Sequence, residues 1–176
     1  MLGQITPKEE RRKIYLNIKD GAIVRRTPQG EERYSYVSGV LDSITRKERT
    51  FRGNEVVLYW YLDLRDDEGE LYSLGFPETS NTFKSIILQL ASEKGLEYVK
   101  NRSKIKIEPY SRNGYDKVQV YGFDLTRLSW VVKELPPIEE KIIGGRKYRD
   151  DSKRMELITS LTEKVISTLK ESDDEF

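Results

Sequence analysis

Apolar and polar residues alternate along much of the first two thirds of the chain, and a period of two predicts strands. Ile14, Leu16 and Ile18 alternate with Tyr15, Asn17 and Lys19. Asp20-Gly21 separates this run from Ala22-Ile23-Val24-Arg25-Arg26, and Asp-Gly between two strand-like runs is a two-residue hairpin signal. Thr27-Pro28-Gln29-Gly30 reads as a turn. Residues 34–46 read as one long strand carrying Gly39, and a glycine inside a strand marks a bulge or a sharp bend. Residues 47–54 read as a loop. The clearest alternation spans 55–65, with Val56, Leu58, Trp60, Leu62 and Leu64 on the face that should meet the core. Val57, Tyr59, Tyr61 and Asp63 fall on the other face. Asp66-Asp67-Glu68-Gly69 turns the chain, and residues 70–76 return as a strand with Tyr72, Leu74 and Phe76 on one side.

The period then lengthens. Thr79 and Ser80 are N-cap candidates, and Phe83, Ile86, Ile87, Leu90 and Ala91 make one apolar stripe of a helix that Lys94-Gly95 should stop. Alternation resumes over 104–109 with Ile105 and Ile107, and over 115–122 with Val118 and Val120. Arg112-Asn113-Gly114 is the hairpin signal between them. Residues 128–132 fit strand or helix, Pro136-Pro137 breaks regular structure, and Gly144-Gly145 reads as a joint. Asp151 or Ser152 can cap a last helix ending near residue 169, with Met155, Ile158, Leu161, Val165 and Leu169 in one stripe. A lone helix of this length is marginal in water, so the stripe must pack on the body or on a second copy of the chain. The expected organisation is one domain over 1–149, including an N-terminal hairpin extension, followed by an amphipathic helix and acidic tail over 150–176.

Composition narrows the chemistry. The 176 residues contain no cysteine and no histidine. That removes thiol nucleophiles, disulfides, the usual zinc ligands and every Ser-His arrangement. Paired-carboxylate chemistry at Asp63 with Asp66, Asp67 and Glu68 is left, but acidic turns are ordinarily just solvated. The expectation is therefore a protein that is not an enzyme and uses no cofactor or metal. No apolar run approaches the ~20 residues of a membrane span and no N-terminal signal is visible, so a soluble cytoplasmic protein without membrane partners is expected. The net charge of +1 hides an asymmetry. Residues 1–149 carry 27 Lys and Arg against 22 Asp and Glu, whereas residues 150–176 carry 4 against 8. A basic body with an acidic end is a cue for a nucleic-acid binder with an interaction tail.

From residue 34 to 123 the order is strand, strand, strand, helix, strand, strand. It predicts a mainly β fold: a five-stranded OB-fold barrel with one helix between strands three and four, an N-terminal β-hairpin and a C-terminal helix. In this order, and in its acidic tail ending in Phe176, the chain resembles the OB-fold single-stranded DNA-binding proteins. The resemblance implies binding across strands two and three and in the loops joining strands one to two and four to five. Arg46, Lys47, Arg49, Phe51 and Arg52 would fill the first loop; Tyr110, Arg112, Asn113, Tyr115 and Lys117 the second; Tyr59 and Tyr61 the exposed face; and Tyr121 the last strand. The residue types suit the task. Cations neutralise phosphates and release counterions. Aromatic rings stack on bases largely without regard to sequence. A plainer reading makes Tyr59 and Tyr61 strand formers on a half-exposed sheet and Phe51 a plug. Trp60 and Trp130 read as packing residues.

The same family ends in a short acidic peptide closed by Phe that recruits other proteins. Here Asp173, Asp174, Glu175 and Phe176 would do so, with replication or recombination proteins as partners. The chain departs from the bacterial pattern, having no long Gly/Gln/Pro-rich linker and Glu175 where Pro precedes Phe. That suggests a divergent, bacteriophage-type member in a host cytoplasm and leaves homo-oligomerisation open. The implied function is sequence-tolerant binding and protection of single-stranded DNA in replication, recombination or repair. The alternative is an RNA-binding or protein-interaction module.

Overall fold

A computed structural model describes residues 12–174. The alternating segments form β1 (Ile14–Lys19), β2 (Ala22–Thr27), β3 (Gly30–Tyr34), β4 (Val37–Thr50), β5 (Val56–Arg65) and β6 (Leu71–Pro77). Two helices follow, α1 (Asn81–Leu90) and α2 (Glu93–Lys100), then β7 (Lys104–Arg112), β8 (Tyr115–Gly122), β9 (Glu139–Ile143), β10 (Arg146–Asp150) and α3 (Ser152–Asp174). Asp20 and Gly21 have φ of 51° and 73°, the doubly left-handed turn that matches strand twist, and β1 and β2 pair across it. Gly144 and Gly145 make a similar turn, so the expected joint is the tip of the β9–β10 hairpin. The strand expected over 34–46 is displaced. Tyr34 ends β3, and β4 runs on to Thr50, so half of the expected 47–54 loop is strand.

Eight strands form one mixed sheet in the order β3-β2-β1-β6-β5-β4-β7-β8, and β9 with β10 forms a second. The expected closed five-stranded barrel is not what the chain builds. Among β4 to β8 the order is β6-β5-β4-β7-β8, so a barrel of these five would have to close by pairing β6 with β8. Both edges are otherwise engaged. The β6 edge takes β1 in parallel, with Ile14 opposite Tyr72 and Leu16 opposite Leu74. The β8 edge is covered by α1. Buried Gln89 donates from Nε2 to the Val118 carbonyl at 3.1 Å and accepts from the Val120 N–H at 2.7 Å. Leu128 N–H donates to the Val120 carbonyl at 3.0 Å, and Gly122 N–H to the Thr126 carbonyl at 2.9 Å. The side chain and the loop supply what a neighbouring strand would have supplied. The result is a curled half-barrel of eight strands.

The curl brings its ends together. Gly21 N–H donates to the Asp116 carboxylate at 2.6 Å, tying the β1–β2 turn to the β7–β8 tip. A Cβ on Gly21 would lie 2.8 Å from the Ser111 nitrogen. Two helices, not one, separate β6 from β7. Ser80 caps α1 by accepting from Phe83 N–H at 3.2 Å, and Ser92 caps α2 from Gly95 N–H at 3.1 Å. Gly95, expected as a stop, sits in the first turn of α2 against the end of α1, where a Cβ would meet the Gln89 carbonyl oxygen at 2.4 Å.

The inner face buries Leu16, Ile23, Leu62, Leu64, Leu74 and Ile107 against Phe83, Ile87 and Leu90 of α1. The Trp60 ring stacks on Phe83 at 5.5 Å. Ile158, Val165 and Leu169 of α3 join this core, so the last helix finds its partner within its own chain. Among the described residues no helix is long and apolar enough to cross a membrane.

Gln89→Leu leaves the Val118 carbonyl and the Val120 N–H without their partner inside the protein, and an orphaned buried polar group costs about 1–3 kcal/mol. The expected loss on urea denaturation is about 2–4 kcal/mol with an unchanged m-value. A loss under about 0.5 kcal/mol, the scale of an ordinary surface substitution, would show that the edge does not depend on α1.

Candidate nucleic-acid interface

The outward faces of four strands make one continuous surface. On β5 it presents Tyr59, Tyr61 and Asp63. Register sets Lys47 of β4 opposite Tyr59 and Thr45 opposite Tyr61. On the other side Gly75 and Ser73 of β6 lie opposite Tyr61 and Asp63, and β1 adds Tyr15 opposite Ser73. Between β1 and β4 this surface sinks into a groove of about 420 Å³ whose lining includes Lys13, Tyr15, Lys47, Arg49, Tyr59 and Tyr61, with Glu48 its acidic rim residue.

The rings form a supported cluster. Tyr59 and Tyr61 stack with centroids 6.2 Å apart, Tyr15 meets Tyr61 edge-on at 6.3 Å, and Phe51 leans on Tyr59 at 5.9 Å. The Arg49 guanidinium lies 5.7 Å from the Tyr59 ring and 5.9 Å from the Tyr61 ring, and Lys47 Nζ is 5.9 Å from Tyr61. Tyr61, expected as an exposed stacking ring, is only 7% exposed. It is the floor that holds Tyr59 and Tyr15, and burial raises its hydroxyl pKa. Gly75 makes room for it, since a Cβ there would stand 3.0 Å from the Tyr61 ring. Tyr59 is half-buried, and Tyr15 and Phe51 are the exposed members.

Asp63, two residues along β5 on the same face, is 1% exposed. Lys13 Nζ approaches its Oδ2 to 2.8 Å, and the Ser43 hydroxyl donates to the same oxygen at 3.3 Å. The hydrogen bond to Asp63 raises the Lys13 pKa above its ordinary value, outweighing the opposing effect of burial. Lys13 therefore stays charged and cancels the buried carboxylate, and Lys47 and Arg49 remain as the groove's cationic field.

The groove continues into a second depression of about 380 Å³, sharing Asn17, Tyr59 and Gly75 and adding Pro77, Tyr115 and Lys117. This in turn shares Asn81, Thr82, Asp116 and Lys117 with a third depression of about 860 Å³, which Tyr110 and Arg112 help to line. The trough thus unites Lys47, Arg49, Tyr59, Tyr61, Tyr110, Arg112, Tyr115 and Lys117. Other expected residues lie elsewhere. Arg46 stands opposite Trp60, and its guanidinium bonds Glu78 at 2.8 Å. Arg52 lies in the turn beyond β4, and Asn113 in the β7–β8 turn, and both are exposed. Tyr121 packs beneath Lys106 at 4.7 Å, beside Tyr36, toward the other end of β8. Trp130, expected as packing, is 42% exposed and bonds the Ser85 hydroxyl through its indole N–H at 3.1 Å.

The expected tail begins inside α3. Arg102 pairs with Asp173 and donates from Nε to the buried Ser172 hydroxyl at 3.0 Å. Asp174 is the last residue of α3, and Glu175 and Phe176 lie outside the described residues.

Sequence reasoning missed Lys13, Tyr15 and Asn17. Their signal was the polar side of the β1 alternation, but only the distant pairing with β6 brings them to the tyrosines. Among the described residues no group of three or more carboxylates is arranged to hold a metal ion. In comparisons with family models, curated proteins and solved structures, the chain matches none.

Lys13→Ala uncovers Asp63 and should destabilise the protein by about 1–3 kcal/mol, less than for a fully buried pair because Lys13 is partly exposed. The folded Lys13 pKa lies above the ordinary 10.5, so its contribution is complete below that value and lost as pH rises through the folded value. Denaturation curves of wild type and variant should differ at pH 8 and converge above pH 10.5. A constant difference through that range would show that the ion pair is not what stabilises this site.

Proposed function

We propose that the chain binds single-stranded DNA along this trough, with little regard to sequence, and so protects unpaired strands. The observation that carries the reading is the ring cluster of Tyr59, half-buried, with the exposed Tyr15 and Phe51, set on Tyr61 and flanked by Arg49 and Lys47. Bases stack on such rings at about 1–3 kcal/mol each, whichever base is present. The cations alongside offer partners to the phosphates that thread between bases, and arginine can pair with phosphate and also stack. A duplex keeps its base faces stacked on each other, so it can use the cations but not the rings. Tyr115 and Lys117, lining the second depression with Asn17 and Tyr59, add a further ring and a further cation and give the strand a second foothold.

Recruitment of replication or recombination proteins through the C-terminus would rest on Asp174, Glu175 and Phe176, because Asp173 is held by Arg102.

Fluorescence anisotropy with an oligothymidylate tests the reading. Tyr59→Ala should weaken binding by about 5–100-fold, the loss of one stacked base, while Tyr59→Phe retains it. Arg46→Ala should leave affinity within about twofold, since Glu78 already engages that side chain. Three phosphate contacts by Lys47, Arg49 and Lys117 predict a log–log salt slope of about −2 on a single strand, and Arg49→Ala should flatten it by about 0.7. Equal affinity for duplex and single strands, or affinity unaffected by Tyr59→Ala, would overturn the proposal. Equal affinity for oligouridylate would extend it to RNA.

A further inference from the structure

The third depression carries something that strand binding does not require. One face of α1, through Asn81, Lys84, Ser85, Leu88 and Gln89, forms its wall. Lys84 is only 6% exposed yet lines the space, and its ammonium makes no ion pair or hydrogen bond with the described residues. The surrounding burial pushes its pKa down. Asp151 eases that through space and Arg154 opposes it. Arg154, Arg127, Arg112 and Lys117 line the same depression, so five cationic side chains border it. Its one lining carboxylate, Asp116, already accepts from Gly21 N–H. Asn81 and Thr82 add the first turn of α1, where the helix field also favours an anion. Trp130 and Tyr110, each more than two-fifths exposed, stand as rings among its lining residues.

We propose that this depression is a phosphomonoester site that receives the phosphorylated terminal nucleotide of a single strand. A monoester carries about −1.5 to −2 charges near neutral pH, whereas an internal phosphodiester carries a single charge, and five lining cations, Lys84 among them, suit the former. A volume of about 860 Å³ has room for a nucleotide, with its phosphate at Lys84 and its base on Trp130 or Tyr110. The depression lies at the Lys117 end of the trough, where a bound strand would leave or end. The strand as the source of the phosphate rests on the proposed function; the phosphomonoester chemistry does not.

The test uses oligothymidylates of about 15 nucleotides, dye-labelled at an internal base and carrying a 5′-phosphate, a 3′-phosphate or hydroxyls at both ends. Calorimetry with dTMP and thymidine runs beside it. One phosphorylated end should bind about tenfold tighter than the hydroxyl-ended strand, the effect of about one charge-assisted hydrogen bond. That gain should vanish in Lys84→Met and shrink in Arg127→Gln, whose exposed side chain can be replaced without disturbing the core. dTMP should bind and thymidine should not. Equal affinity for all three strands together with no dTMP binding would overturn the inference while leaving the trough standing. A phosphate gain that persists in both variants would also overturn it. If the strands fail to bind but dTMP binds and Lys84→Met abolishes it, the phosphomonoester site stands and the single-strand reading falls.

Discussion

The architecture depends on how two strand edges are satisfied. Every backbone N–H and C=O on a buried edge needs a partner, and β6 and β8 have edges that could have met each other. Instead β1 pairs in parallel with β6, and Gln89 with the 126–128 segment satisfies β8. The consequences spread through the fold. Pairing with β6 sends Leu16 into the core and places Tyr15 and Lys13 against Tyr61 and Asp63. It carries the Asp20-Gly21 turn to Asp116, which places the β7–β8 tip, and with it Tyr115 and Lys117, beside Tyr59. The trough is the product of that one pairing.

The trough separates two roles among residues that look alike in the sequence. Tyr61 is structural: enclosed by Tyr15, Tyr59 and the bare backbone of Gly75, it fixes the positions of the rings above it. Tyr59 is presented. The cations divide similarly. Lys13 neutralises a buried acid and Arg46 is taken by Glu78, while the charged groups of Lys47 and Arg49 lie over aromatic faces and make no ion pair among the described residues. Each such cation–π contact is worth only about 0.5–1 kcal/mol at an exposed site. Their value lies in preorganisation, since side chains already restrained lose less entropy when a ligand arrives.

Much of the strand pattern was legible because local alternation decides it. The core-facing Leu62 and Leu64, the turns at Asp20-Gly21 and Asn113-Gly114, and the cap at Ser80 all follow from neighbouring residues, whereas Val56, expected on the same core face, is exposed where β5 runs past the core. The helix stripe at Ile158, Val165 and Leu169 was legible for the same reason. The closed barrel was not there to be read. Whether β6 meets β8 or β1 is a contest between distant edges, and nothing within either strand records the outcome. Gln89 looked like any polar residue on a helix until β8 lay beside it. At the site, types were readable but facings beyond β5 were not. The bulge between Leu41 and Ser43 and the extension of β4 to Thr50 decide which of Arg46, Lys47 and Arg49 reaches the tyrosines.

The central claim is that an unpaired strand lies on the outward face of β1, β6, β5 and β4. Backbone amide NMR shifts, recorded as an oligothymidylate is titrated into the isotopically labelled protein, locate the contact directly. The account predicts the largest changes at Tyr15, Lys47, Arg49, Tyr59, Tyr115 and Lys117, with small ones at Arg46 and around Tyr36 and Tyr121. Changes concentrated on the β9–β10 hairpin or on α3, with the tyrosine groove silent, would contradict it.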